Sequence, residues 1–335
     1  MTTEAKLQIT STELGTLWMS YQTVSASVTI CDLFKDKVID KDAKKIVTSY
    51  ANDRKNTING IVKIFNNEKA VIPLGFGEQD IIREAPPLFD DIFSIMYIRQ
   101  LSKLHLGHSA VFAAMSYLKE VNEVLKQKYD ISNKYYVMAT NYLLEKGVLA
   151  RPPYVTMPKQ VEFIEDKNYM SGFNAFSEKR SLNTIEVGYI NEAIEYNIFN
   201  MQLLTGFAQV AKESEVKKYF IEGKELAKNV ITELSGVLLQ SDIQPPSSWA
   251  GKATNSTEAP FSDKLMMYIN SLTASTALGF TGLGTSFSMR KDLHVKLGLI
   301  SKDIFEYSKK GAKLMIKHKW MEEPPQMEDR NQLTK

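Results

Sequence analysis

The sequence contains a single cysteine, Cys31, and no long apolar run. One thiol cannot form a disulfide within the chain, so the fold does not depend on such a cross-link and a reducing compartment is expected. No apolar stretch reaches the roughly 18 residues that a membrane-spanning helix needs. The first residues also lack the apolar core of a secretion signal. We therefore expect the cytoplasm as the place of synthesis, without a membrane span.

An excess of charge of one sign is also missing. The chain has 41 basic and 39 acidic residues, which leaves a net charge of +2. Proteins that bind nucleic acid or an anionic membrane concentrate positive charge, so neither partner is expected here. The composition, 44% hydrophobic and 24% charged, is typical of a globular protein. The length is enough for about two domains.

Catalytic signatures are absent as well. The sequence has no glycine-rich phosphate loop, Walker sequence or nucleophile elbow. None of its histidines follows a glutamate by three residues, although the di-metal centres of ferritin-like bundles are built on that Glu-x-x-His step. A di-iron oxidase is therefore not expected. We assign no catalytic residue, no cofactor and no metal site.

The sequence does contain a tandem repeat of one unit. The clearest matches lie 172 residues apart: Asp91 with Asp263, Gly107 with Gly279, and Pro152-Pro153 with Pro324-Pro325. Near the start of each unit the spacing is 173, as in Lys44-Lys45 and Lys217-Lys218. We predict one domain at residues 10–153 and a second at 183–326, joined by a linker at 154–182.

Apolar residues recur every three or four positions in four stretches of the first copy, which predicts four helices. The predicted helices span residues 12–37, 41–68, 88–116 and 119–146. Short turns make the first two and the last two antiparallel hairpins, and a crossover of about 18 residues is long enough to run back along the bundle. Two hairpins joined by one long crossover is the connectivity of ferritin-like bundles. We predict an all-α protein of two tandem bundles of this kind.

Two candidate sites involve cysteine and histidine. Cys31 falls on the apolar seam of the first helix, with no histidine in its hairpin, so a core role is expected rather than a reactive thiol. His105 and His108 are three residues apart on the third helix and could clamp one metal ion. The alternative is a partly buried or interfacial pair without metal. The second copy has Ala277 and Phe280 at these positions, so any such site exists once.

Basic residues occupy the middle of the predicted seam in the first copy. They are Arg54, Arg99 and Lys128. None of these side chains suits a bound cation, and this observation argues against the metal interpretation.

The third helix of the second copy is rich in glycine. Gly279, Gly282 and Gly284 fall within six residues. Each costs about 1 kcal/mol relative to alanine inside a helix. Either a close approach of two helices, or a helix break or ligand cavity, must offset this cost.

Six segments together resemble a known family. They are Leu17-Trp-Met-Ser-Tyr21, Ile72-Pro-Leu-Gly-Phe76, Arg151-Pro-Pro153, Gly206-Phe-Ala-Gln-Val210, Pro260-Phe-Ser-Asp-Lys-Leu-Met266 and Glu323-Pro-Pro325. Over about residues 10–330 the chain resembles the tandem domain-of-unknown-function family 3231 of spore-forming Bacillus-type bacteria. The resemblance implies a ferritin-like fold and a role in the spore coat, without an established activity. The chain departs from the family pattern at Asn229, where histidine is usual, and at Lys319, where glycine is usual.

These observations favour a non-enzymatic structural or interaction protein, with the association to sporulation and the spore coat implied by the resemblance. Its expected partners are other spore-coat proteins or a second copy of the chain, since two intact seams leave outward faces free. The alternative is a metal- or small-ligand-binding protein derived from a ferritin-like di-metal oxidase. The scaffold, the histidine pair and the glycines support that alternative.

Overall fold

The computed structural model describes residues 7–172, 179–247 and 251–334. Within these ranges the chain is helical and has no strand, which confirms the all-α prediction. The long helices are α1 (Ser11–Lys37), α2 (Lys41–Asn67), α3 (Asp91–Ala114), α4 (Lys119–Glu145), α5 (Thr184–Val210), α6 (Ser214–Leu239), α7 (Asp263–Phe287) and α8 (Lys291–Lys317), followed by the short α9 (Arg330–Leu333). None of the helices in this described part combines the length and apolar character that crossing a membrane requires.

The predicted helices of the first copy agree with the structure to within a few residues. The largest difference is at α3, which begins three residues later than expected because the Asp90 side chain accepts a hydrogen bond from the N–H of Phe93 and caps the helix there. Hairpins α1–α2 and α3–α4 are joined by a long crossover, and α5–α6 and α7–α8 repeat this arrangement. Cys31 is fully buried in the core, as predicted.

A buried carboxylate connects the ends of each bundle. Thr10 and Glu13 form a capping box at the start of α1, and Asn183 and Glu186 form one at the start of α5. The carboxylate of Glu13 also accepts from two backbone N–H groups just before α4, at 2.6 and 2.7 Å. Glu186 does the same just before α8, at 3.0 and 3.1 Å. The first and fourth helices of each copy are therefore held together by the same contact.

The repeated aspartates Asp91 and Asp263 make equivalent hydrogen bonds in the two copies. The Asp91 carboxylate accepts from backbone N–H groups in the turn between α1 and α2, at 2.7 to 3.3 Å. The Asp263 carboxylate accepts from the turn between α5 and α6, at 2.8 and 3.1 Å. Each aspartate thus anchors the turn of the first hairpin to the start of the third helix, which explains why this match stands out in the sequence.

The two copies meet along their crossovers, which pair reciprocally. Ile81 pairs antiparallel with Phe261, and Phe89 pairs antiparallel with Ala253. At the repeat spacing of 172, Ala253 corresponds to Ile81 and Phe261 to Phe89, so the same two positions exchange partners. This reciprocity is that of an isologous dimer and defines a local two-fold axis between the copies. Around it, residues of both copies form one continuous apolar core.

The predicted linker at 154–182 is exposed from residue 154 to residue 168 and contains one turn of 3-10 helix, Lys167–Met170. Residues 173–178 of the linker lie outside the described residues. The exact domain boundaries, 10–153 and 183–326, stay a prediction.

A basic cluster and an apolar groove as candidate functional sites

The middle of the first bundle contains buried basic side chains, which we call the basic cluster. Its members are Arg54 on α2, His105 on α3 and Lys128 on α4, and each is 0% exposed. All three lie on the buried side of their helices and converge from three directions. The middle of a four-helix bundle is where di-metal carboxylate proteins hold their metals, but the side chains here are basic.

The two charged members of the cluster bind neutral oxygens. The Arg54 guanidinium donates to the Lys128 carbonyl at 3.2 Å and to Ser132 Oγ at 2.8 Å, and it lies 5.0 Å from the centre of the Tyr50 ring. Lys128 Nζ donates to Ser20 Oγ at 3.0 Å. Neither forms an ion pair with a carboxylate of a described residue. Asp53 interacts electrostatically with Arg54 but is ion-paired with Lys134, so no described carboxylate contacts the cluster directly.

Burial shifts the pKa values of this region. Burial, and then the charge of Arg54, lowers the pKa of Lys128 to about 7. Burial also lowers the pKa of His105 well below its ordinary value, with Arg54 and Lys128 acting in the same direction, and lowers the pKa of His108 to about 4. At neutral pH both imidazoles are thus uncharged, whereas the guanidinium of Arg54 keeps its proton.

Several buried polar atoms around the cluster have no protein partner. They are Arg54 Nε, both ring nitrogens of His105, Thr57 Oγ1, Ser102 Oγ and Ser109 Oγ. Buried polar groups are nearly always hydrogen-bonded in native proteins, because an unmade bond costs about 1–3 kcal/mol. The interior at this place therefore has hydrogen-bonding capacity that the described side chains do not use.

The predicted metal clamp finds no third ligand. Among the described residues, no group of three or more His, Cys, Asp or Glu side chains is placed to hold a metal ion. A cation beside His105 would also be repelled by Arg54. The assignment of no metal site stays a prediction. Of the three seam residues, Arg54 and Lys128 come together as expected, whereas Arg99 lies at the contact between the copies.

The second bundle has an apolar interior at the same positions. At spacings of 173 for the first two helices and 172 for the last two, the counterparts of Arg54, His105, Lys128 and Ser132 are Ala227, Ala277, Ile300 and Ile304. All four counterparts are buried. The basic cluster therefore occurs once.

An apolar groove of about 770 Å³ lies between the copies. Its walls come mainly from α3 of the first copy and from α5 and α7 of the second. Equivalent positions of α3 and α7 face it: Gly107 and Gly279, His108 and Phe280, Val111 and Leu283. The groove thus lies where the third helices of the two copies present the same face.

Glycines open the groove. Gly107, Gly188 and Gly279 come from three different helices, and a Cβ atom on any of them would meet nothing within 4 Å. Of the other two glycines in α7, Gly282 also faces open space, and a Cβ at Gly284 would lie 3.4 Å from Tyr189. The helix continues without a break. Within this glycine run, Gly279 therefore leaves space in the groove, and Gly284 allows close packing of α7 on α5.

Ion pairs between the copies lie beside the groove. Lys103 of α3 donates to both oxygens of Glu192 on α5, at 2.7 and 2.8 Å. Arg99 pairs with Glu195, which also accepts from Gln100 at 2.9 Å. Burial alone would raise the pKa of Glu195, but Lys103 and Arg99 hold it below its ordinary value. The sequence alone does not predict these ion pairs, because the paired residues are about 90 positions apart in the chain.

One layer of side chains separates the groove from the basic cluster. His108 and Phe112 both line the groove, and their rings stack with centres 5.4 Å apart. Behind them, Lys128 Nζ lies 5.4 Å from the centre of the Phe112 ring, and His108 Nδ1 is buried without a partner. The two candidate sites are therefore neighbours.

The architecture is that of an all-helical protein with two tandem bundles. The sequence pattern of the family described as protein of unknown function (DUF3231) matches residues 1–161 and again 170–333. The chain belongs to this family and contains two tandem copies of its domain. A solved structure of a proposed spore coat protein from Bacillus halodurans is similar over 45% of this chain and 98% of its own, with 16% identity and a TM-score of 0.42. No curated protein matches the chain.

Proposed function

We propose that this protein binds an apolar small molecule in the groove between its two copies, without a catalytic step. The observation that carries this proposal is the set of three glycines, Gly107, Gly188 and Gly279, which leaves open space on three helices. The volume of the groove, about 770 Å³, lies within the range of roughly 300–1,000 Å³ that is usual for ligand pockets. Helical glycines are costly, and a binding site is a gain that offsets them.

The lining defines the chemistry of the ligand. Leu104, Val111 and Leu283 supply apolar surface, and the charge of Lys103 is already neutralised by Glu192. His108 is uncharged at neutral pH because its pKa is lowered to about 4. The expected ligand therefore has an uncharged hydrophobic body and few hydrogen-bonding groups.

Filling the groove tests the proposal. Gly279→Leu places a side chain into the groove, and Gly282→Leu is the matched control, because it adds the same side chain to open space on the same helix outside the groove. The probe is Nile red, an uncharged dye whose fluorescence rises in apolar sites. We expect saturable binding by the unchanged protein and by Gly282→Leu, and at least a tenfold loss of affinity in Gly279→Leu. Equal binding by all three would refute the proposal.

A second candidate is the structural role in the spore coat, and the exposed linker favours it. Tyr154, Met157 and Phe163 are 86%, 73% and 85% exposed. Clustered exposed apolar side chains are typical of segments that dock on another protein. Under this candidate the linker binds a second copy or a coat protein.

The linker is tested by replacing Tyr154, Met157 and Phe163 with serine. Sedimentation then measures self-association, and fractionation of spores measures incorporation into the coat. The structural candidate predicts that the unchanged protein self-associates or enters the coat and that the triple variant does not. A strict monomer that is absent from spores would contradict it.

A further inference from the structure

We propose that the basic cluster binds one small oxyanion, such as phosphate or a short carboxylate, in the middle of the first bundle. This site is separate from the groove and does not require the groove to be occupied.

The charge of Arg54 needs a partner. A guanidinium does not lose its proton in a protein, and burying an ion without a counterion costs several kcal/mol. The neighbouring carboxylate, Asp53, is already bound by Lys134 Nζ and Tyr135 Oη, each at 2.8 Å. Asp32, the nearest acid on α1 to Cys31, is bound by two lysines. Neither acid forms an ion pair with the cluster, although Asp53 interacts with the charge of Arg54 at longer range.

The unpartnered atoms favour an anion over a cation. Arg54 Nε can only donate, and the hydroxyl of Ser102 and one ring nitrogen of His105 can each donate a hydrogen bond. A planar guanidinium beside an ammonium matches the geometry of a carboxylate or phosphate. Water molecules would satisfy the hydroxyls but would leave the charge of Arg54 unbalanced.

The second copy shows that the fold does not need the cluster. Its bundle packs Ala227, Ala277 and Ile300 at the positions of Arg54, His105 and Lys128, with the same helices and the same connectivity. Basic residues in a position where apolar ones suffice indicate a use specific to the first copy. Their burial behind His108 and Phe112 suits a small ion better than a large ligand.

Thermal unfolding of the full chain tests the site. The midpoint is measured at pH 6.5 in sodium phosphate, sodium acetate and sodium chloride of equal ionic strength. We expect phosphate or acetate to raise the midpoint of the unchanged protein over chloride by about 2 °C or more. Because phosphate stabilises many proteins by exclusion from their surface, the result is read as a difference between variants.

Two lysine variants of α4 supply that difference. Lys128→Met removes the buried charge, and Lys126→Met removes an equal charge from an exposed position on the same helix. The proposal predicts that Lys126→Met keeps the anion response and Lys128→Met loses it. The same rise of the midpoint in all three proteins, or no rise in the unchanged protein, would overturn the proposal. The polar atoms of the cluster would then be hydrogen-bonded to water.

Calorimetry keeps the test decisive if Lys128→Met fails to fold. Titration of inorganic phosphate into the unchanged protein and into Lys126→Met should then show one anion per chain. The absence of heat beyond that of dilution in both would overturn the proposal.

Discussion

The first and second copies share a framework but differ in the middle of their bundles. Both keep the buried glutamates Glu13 and Glu186 and the anchoring aspartates Asp91 and Asp263, which hold helix ends and turns in place. The first copy places basic and hydroxyl side chains at the centre of its bundle, whereas the second has alanine and isoleucine at the equivalent positions. The difference teaches that the ends and turns define this fold, and that the centre of a bundle is free to be specialised.

The largest expected effect comes from breaking the shared framework. Glu186 accepts hydrogen bonds from Arg180 and from the backbone before α8. Glu186→Ala leaves these buried donors unpaired, so we expect a loss of about 3 kcal/mol or more in the free energy of unfolding, measured in denaturant. Glu13→Ala should destabilise the first bundle less, because Glu13 has no arginine partner that would lose its ion pair. Equal and small effects would contradict the role of these carboxylates.

The same glutamate makes stability depend on pH. Burial would raise the pKa of Glu186, but hydrogen bonds from Arg180 and the backbone lower it to about 2. A depressed folded pKa contributes stability that is present above the unfolded pKa and is lost as pH falls from about 4.5 towards 2. We expect the free energy of unfolding of Glu186→Ala to fall less steeply over this acid range than that of the unchanged protein. The same pH dependence in both proteins would contradict the lowered pKa of Glu186.

Packing around an aromatic residue differs between the copies. A Cβ at Gly223 would lie 2.2 Å from Tyr307 Oη, whereas the first copy has Tyr50 at the equivalent position, packed edge to face on Tyr135. Gly223→Ala should destabilise by about 1–3 kcal/mol through overpacking. Gly236→Ala, on the same helix with nothing within 4 Å, should stabilise by up to about 1 kcal/mol. Denaturant unfolding of both variants checks the opposite signs.

The interior of the first copy predicts a pH response above neutrality. Because the pKa of Lys128 is lowered to about 7, the unfolded chain binds more protons than the folded one between that pH and the ordinary lysine value. Stability should therefore rise with pH from 7 to 9, by about 2 kcal/mol relative to Lys128→Met. Unfolding in chloride buffer at both pH values measures it, and parallel curves would show that Lys128 stays charged.

The smallest effect concerns the contact between the copies. Arg99 and Glu195 form one side of it, and the equivalent positions on the other side, Ser271 and Gln22, carry no charge. A double-mutant cycle of Arg99→Ala and Glu195→Ala should give a coupling energy of about 1 kcal/mol. Additive effects would show that the ion pair does not hold the copies together.

The sequence could predict what depends on neighbours along the chain. Periodicity gave the helices of the first copy, spacing gave the repeat, and the seam placed Arg54 and Lys128 in the middle of the bundle. The glycines of α7 left a ligand cavity open as one alternative, but the other walls of the groove and the contact of Arg99 with Glu195 could not be predicted, because they depend on how distant helices face each other. One signal was present: Ile95, Met96, Tyr97 and Ile98 are four consecutive large side chains on α3, and all are buried. A helix that is apolar on every side packs against more than one bundle.

The most direct test of the account is native mass spectrometry of the full chain purified without detergent. The proposed function predicts that the unchanged protein and Gly282→Leu carry one apolar organic molecule of a few hundred daltons, released on unfolding, and that Gly279→Leu carries none. A bare chain in all three, or the same molecule retained by Gly279→Leu, would contradict the claim that the space between the two copies is a binding site.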